Sequence, residues 1–99
     1  MAEQQIVVIA EANIKPAILD EVAAELKALV EPTRKEDGCI EYILHQDTQD
    51  ENRFMFYEIW ASSAHLDEHI QQPALKNLLA NQDNWFTQSL NVSIYKKIK

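Results

Sequence analysis

Phe54-Met55-Phe56-Tyr57-Glu58-Ile59-Trp60 is the stretch on which the fold turns. Successive residues of a strand point to opposite faces, so Phe54, Phe56, Glu58 and Trp60 share one side and Met55, Tyr57 and Ile59 the other. Both sides are apolar. An antiparallel strand in a small protein usually keeps one wet face, so this run predicts a sheet covered on both sides, by helices on one and by a second subunit on the other. Glu58 falls on the side that carries three aromatic rings, where ionisation costs free energy unless a hydrogen bond or a cation offsets it.

Working outward, Ile6-Val7-Val8-Ile9-Ala10 is β-branched and reads as a first strand. Pro16 suits the first turn of a helix, and Leu19, Val22, Leu26, Leu29 and Val30 recur at helical spacing until Gly38, which predicts a left-handed cap. Residues 39–47 alternate, with Ile40, Tyr42 and Leu44 expected on one face and Cys39, Glu41, Ile43 and His45 on the other. The polar connector Asp47–Asn52 leads as a hairpin into the aromatic strand. Ser62 or Ser63 caps a helix over 64–71 with Leu66 and Ile70 inward, and Pro73 breaks or restarts it. Ala74, Leu75, Leu78 and Leu79 continue the helical stripe, Asp83 and Asn84 read as loop, and 90–95 is a last strand. The order is βαββαβ: an α+β, ferredoxin-like arrangement of a four-stranded antiparallel sheet with two helices on one face, in a single domain over 1–99. Its bare face, bearing Met55, Tyr57 and Ile59, predicts a two-fold homodimer.

Composition narrows the function. Of 99 residues, 16 are acidic and 9 basic, and the net charge of −7 repels nucleic acid and anionic membranes. Gly38 is the only glycine, which excludes phosphate-cradling and dinucleotide-binding glycine loops. Cys39 is the only cysteine, so neither an internal disulfide nor a cysteine metal cluster is expected, in keeping with a reducing cytoplasm. The start, Met1-Ala2-Glu3-Gln4-Gln5, reads as lacking a leader, and no apolar run approaches the ~20 residues of a membrane span.

The residues that could carry chemistry lie around the aromatic strand. Glu58 is either a general base or a structural carboxylate. His65 and His69, four apart, stack on one helix face; with Glu58 they match a loose metal pattern, although a hydrogen-bonding or proton-transfer role fits His69 better. His45 reads as a surface residue at a strand end. Phe54, Phe56, Trp60 and Tyr42 either line a pocket for a flat aromatic molecule or pack as core. Trp85 and Phe86 fall in a lid or a loop anchor.

Taken together, Gly38-Cys39, Tyr42, Leu44, Asp47, Arg53-Phe54, Glu58-x-Trp60, Leu66, His69 and Pro73 resemble the antibiotic biosynthesis monooxygenase family, in particular its small quinol-monooxygenase-like members. The resemblance implies a dimeric α/β-barrel assembly with a hydrophobic cavity between sheet and helices. It also implies oxidation of a quinol or polycyclic phenol by molecular oxygen, with no cofactor and no metal. On it, Glu58 or His69 takes the substrate proton, while Tyr42, Phe54, Phe56, Trp60 and His65 bind the ring. One departure is Ala74 after Pro73, where many relatives carry histidine. Relatives of the same fold degrade haem, but their axial histidine falls near Lys76–Leu78, where this chain has none. Others isomerise small signalling metabolites, and a non-enzymatic dimeric binder of a hydrophobic metabolite is a further alternative.

Overall fold

The computed structural model describes residues 4–99, so the reading of Met1–Glu3 lies outside it. Four strands, β1 (Ile6–Asn13), β2 (Cys39–Gln46), β3 (Arg53–Trp60) and β4 (Asn91–Lys96), form one antiparallel sheet in the order β2-β3-β1-β4. The helices α1 (Leu19–Ala28), α2 (Val30–Arg34), α3 (Ser63–Ile70), α4 (Pro73–Ala80) and α5 (Gln82–Trp85) complete the chain. This is the ferredoxin-like architecture. Among the described residues no helix is long and apolar enough to cross a membrane.

Strand β3 behaves as its alternation demands. Phe54, Phe56, Glu58 and Trp60 are buried on the helix side, and Met55, Tyr57 and Ile59 are half-buried on the open side. Its neighbour β1 offers small side chains opposite the large ones: Ala12 pairs with Phe54, Ala10 with Phe56 and Val8 with Glu58. Small beside large leaves room beneath the helices over Val8 and Ala10.

Strand β2 departs from simple alternation. Cys39 pairs with Trp60 and Glu41 with Ile59, which leaves Ile40 as the extra residue of a β-bulge. One inserted residue reverses the facing of everything before it. Cys39 therefore turns to the helix side and Ile40, expected inside, is 49% exposed, while Tyr42 and Leu44 keep their expected side.

The stretch read as one helix from Pro16 is three pieces: a 3₁₀ turn over Pro16–Ile18, then α1, then α2. Pro32 explains the break at Leu29, because its ring clashes with the carbonyl of Ala28 and it has no N–H to give. Gly38 adopts φ +81° as the sequence suggested, but it closes the turn after α2 rather than capping the helix itself. Ser62 caps α3, its Oγ accepting from the His65 backbone N–H at 3.3 Å. The inward residues of α3 are Leu66 and His69, and Ile70, expected inside, is partly exposed. Asp83 and Asn84, read as loop, lie in α5, and Phe86 is a buried anchor bridged to Ile14.

Candidate active site

A cavity of about 130 Å³ opens between the sheet and α3–α4. Val8, Ala10, Tyr42, Phe56 and Glu58 form its floor, Leu66, His69, Leu75 and Leu78 its roof, with Leu29 and Leu90 at its sides. It exists because β1 contributes only Val8 and Ala10 to a floor that the helices bridge from above. Towards β4 the roof stops short. Val92 and Ile94 point to the helix side, line the cavity, and are 51% and 58% exposed.

Glu58, His69 and Tyr42 are the titratable residues in the lining of a cavity whose open surface is almost entirely apolar. Trp60, two residues along the same face of β3, donates its Nε1–H to Glu58 Oε1 at 2.9 Å. That bond, to Oε1, is the side-chain hydrogen bond found for Glu58 among the described residues. Burial raises the Glu58 carboxyl from 4.5 to about 7; the Trp60 hydrogen bond pulls it down, and the negative charge of Glu36 adds to the rise. Near neutrality Glu58 therefore exists in both protonation states.

His69 is buried against Trp60, with ring centroids 4.6 Å apart, and meets Tyr42 edge-on at 5.5 Å. Its Nδ1 lies 3.0 and 3.1 Å from the two oxygens of Glu36, in the turn after α2. Burial lowers the pKa of the imidazole, against the opposing pull of the Glu36 charge and hydrogen bond. Tyr42 is held neutral: burial, then the charge of Glu58, pushes its phenol far up, against the Thr33 hydroxyl. Cys39 is pushed up to about 11 by burial and by Glu36 and Glu58, so it is no thiolate nucleophile at neutral pH.

The structure thus brings Glu58, Tyr42, Phe56 and His69 together around one cavity. Three residues expected at the ring-binding surface sit elsewhere. Trp60 is fully buried behind the wall, spending its N–H on Glu58 and its face on His69. Phe54 is core opposite Ala12. His65 points away from the cavity, its Nδ1 2.8 Å from Ser62 Oγ and its Nε2 3.5 Å from Asp37. The metal pattern Glu58–His65–His69 does not assemble, because the two imidazoles turn to different partners. Glu36 is the residue that sequence reasoning missed: it meets His69 across 33 positions, and nothing in its local pattern marks it.

An acid and a histidine on the wall of an apolar pocket above a ferredoxin-like sheet agree with the outcome of sequence comparison, in which the antibiotic biosynthesis monooxygenase profile matches residues 5–81. The chain belongs to that family. An uncharacterized Synechocystis protein is 33% identical over 95 residues, 96% of this chain, and the chain spans 65% of that relative's length. The Mycobacterium tuberculosis protein Rv0793, provisionally named a monooxygenase, is 32% identical over 89 residues, 90% of this chain and 87% of its own. The structure of Rv0793 superposes with a TM-score of 0.89 at 28% identity, covering 96% of each chain. PA3566 from Pseudomonas aeruginosa superposes with a TM-score of 0.91 at 25% identity, covering 100% of this chain and 99% of its own. Within the antibiotic biosynthesis monooxygenase family, then, Glu58 and His69 of this chain occupy the floor and the roof of one pocket.

Proposed function

We propose that the cavity binds a neutral quinol or phenol and promotes its oxidation by molecular oxygen without a cofactor. An apolar cavity of about 150 Å³ in another protein holds one benzene molecule, so a cavity of about 130 Å³ suits one aromatic ring. Glu58 or His69 takes the phenolic proton: the O–H bond breaks and its electron pair stays on the substrate oxygen. The resulting anion is electron-rich enough to reduce oxygen itself. Overall, a phenol and O₂ give a quinone and water, and a quinol and O₂ give a hydroxyquinone and water: one oxygen atom enters the ring, the other leaves as water, and every electron is drawn from the substrate. Phe56, Leu66, Leu75 and Leu78 keep bulk water from the anion, and Tyr42, neutral throughout, hydrogen-bonds the ring oxygen.

The observation that carries this reading is the Glu58 carboxyl near pKa 7, set in a wall otherwise built for a hydrocarbon. A group poised between its protonation states at working pH is suited to proton transfer. We further propose that the protein acts as a single-domain homodimer in the cytoplasm, paired through the open face of the sheet. There Val7, Ile9, Ile43, Tyr57 and Ile59 form two apolar cross-strand rows, ended by the Glu11–Arg53–Asp47 ion cluster.

Oxygen uptake on adding a reduced naphthoquinol to metal-free protein tests the reaction. The expected result is a rate above spontaneous oxidation, lowered about 10²-fold or more by Glu58→Gln. Turnover under strict anaerobiosis would instead identify an isomerase. Tight binding with no turnover in either atmosphere would identify a carrier of a hydrophobic metabolite.

A further inference from the structure

His69 has two ring nitrogens, and the structure gives them different surroundings. Nδ1 faces both oxygens of Glu36, at 3.0 and 3.1 Å. An ionised carboxylate can only accept, so the proton of the neutral imidazole must sit on Nδ1. Nε2 is then an unprotonated lone pair, and the hydrogen bonds His69 makes through its ring among the described residues are those of Nδ1. Free histidine prefers the opposite tautomer, so this arrangement has to be imposed. The ring packs against Trp60, centroids 4.6 Å apart, and against Tyr42 at 5.5 Å.

Glu36 is itself fixed. Its backbone N–H donates to Thr33 and its carbonyl accepts from Cys39, and two residues on, the Gly38 carbonyl accepts from Ala61 at 2.8 Å. Gly38 also lies so close to the His65 ring that a Cβ there would collide with it. The turn is therefore clamped between the start of β2 and the start of α3. The carboxylate reaches inward from a surface groove that it shares with Thr33, Gln72 and Leu75, while His69 stands on the cavity side.

We propose that Glu36 is a positioning residue: by accepting the Nδ1 proton it holds His69, a residue of the cavity lining, in the tautomer whose unprotonated Nε2 can accept a substrate hydroxyl proton. This rests on the quinol or phenol reading of the cavity, and it divides the labour there. The substrate O–H breaks, a new N–H forms at Nε2, the electron pair stays on the ring oxygen, and Glu36 stabilises the imidazolium. Glu58, with Oε1 occupied by Trp60, then uses its protonated form to donate from Oε2 to the oxygen that becomes negative.

Nitrogen-15 NMR of the histidine ring in the intact protein, above the pH at which His69 is protonated, tests the assignment. The wild type is expected in the Nδ1–H form, and Glu36→Ala and Glu36→Gln are expected to move towards the Nε2–H form. A wild-type ring protonated on Nε2, or a tautomer unchanged in both variants, would overturn the proposal. Titration with phenol is expected to shift the Nε2 resonance of the wild type, whereas anisole, which has no O–H to give, leaves it in place; equal responses would overturn the acceptor role. In oxygen uptake, both Glu36 variants are expected to lose about 10²-fold or more. Unchanged turnover in a variant with altered tautomer would refute the division of labour. If the wild type consumes no oxygen, the proposed reaction fails, and the NMR arms still decide the role of Glu36.

Discussion

Glu58 carries a stability cost as well as a chemical use. The unfolded chain releases its proton near 4.5, the folded protein near 7. Between those values the native state holds the extra proton, so this group's contribution is fully present below about pH 4.5 and is lost as pH rises through 7. At one pKa unit per 1.36 kcal/mol the loss is roughly 3 kcal/mol. His69 works the other way, since its folded pKa is lowered: stability is lost as pH falls below its ordinary value. Glu58→Gln keeps an oxygen for the Trp60 N–H and removes the ionisation. Urea denaturation is expected to show the variant gaining on the wild type from pH 5 to pH 8, by up to about 3 kcal/mol, even as its oxygen uptake falls. An equal difference at both pH values would mean that the carboxyl ionises in the native protein as it does in water.

Between elements, the joint at Gly38 holds the site together. The residue needs φ +81°, and the His65 ring occupies the place of its missing Cβ. Gly38→Ala is expected to cost on the order of 2 to 4 kcal/mol in denaturant unfolding, combining backbone strain with overpacking. The double variant Gly38→Ala/His65→Ala should recover part of that loss, the share due to collision. His65, reaching over from α3, thus packs against the turn that carries Glu36. Much of this architecture was legible in the residues. A two-residue period announces β3 whatever lies around it, and Pro16, Ser62 and Pro73 mark helix starts by local chemistry. The bulge at Ile40 was not legible, because one inserted residue leaves the alternating composition intact and shows only in the pairing with β3. The break at Leu29 could have been read from Pro32. Glu58 and His69 stood out as polar residues among apolar ones, whereas Trp60 showed its size but not the direction of its N–H, and Glu36 acquires its meaning only when α3 packs against the turn.

At the scale of the whole molecule, two apolar surfaces lie on opposite sides of one sheet. The open face, with Val7 paired to Ile59 and Ile9 to Tyr57, is the proposed two-fold interface. Placing a charge at its centre with Ile59→Arg is expected to halve the mass seen in size-exclusion chromatography with light scattering while leaving the far-ultraviolet circular dichroism unchanged. A wild type already at 11.4 kDa would defeat the two-sided reading of β3. The other surface has a consequence of its own. Among the described residues strand β4 is held by β1 alone, and no helix stands over Val92 and Ile94. The pocket therefore has a sill in place of a fourth wall. Val8 stands between Ile94 and Glu58 in the cross-strand row, so a guest longer than one ring would extend across β1 onto that sill, where the sheet and not a helix limits its size.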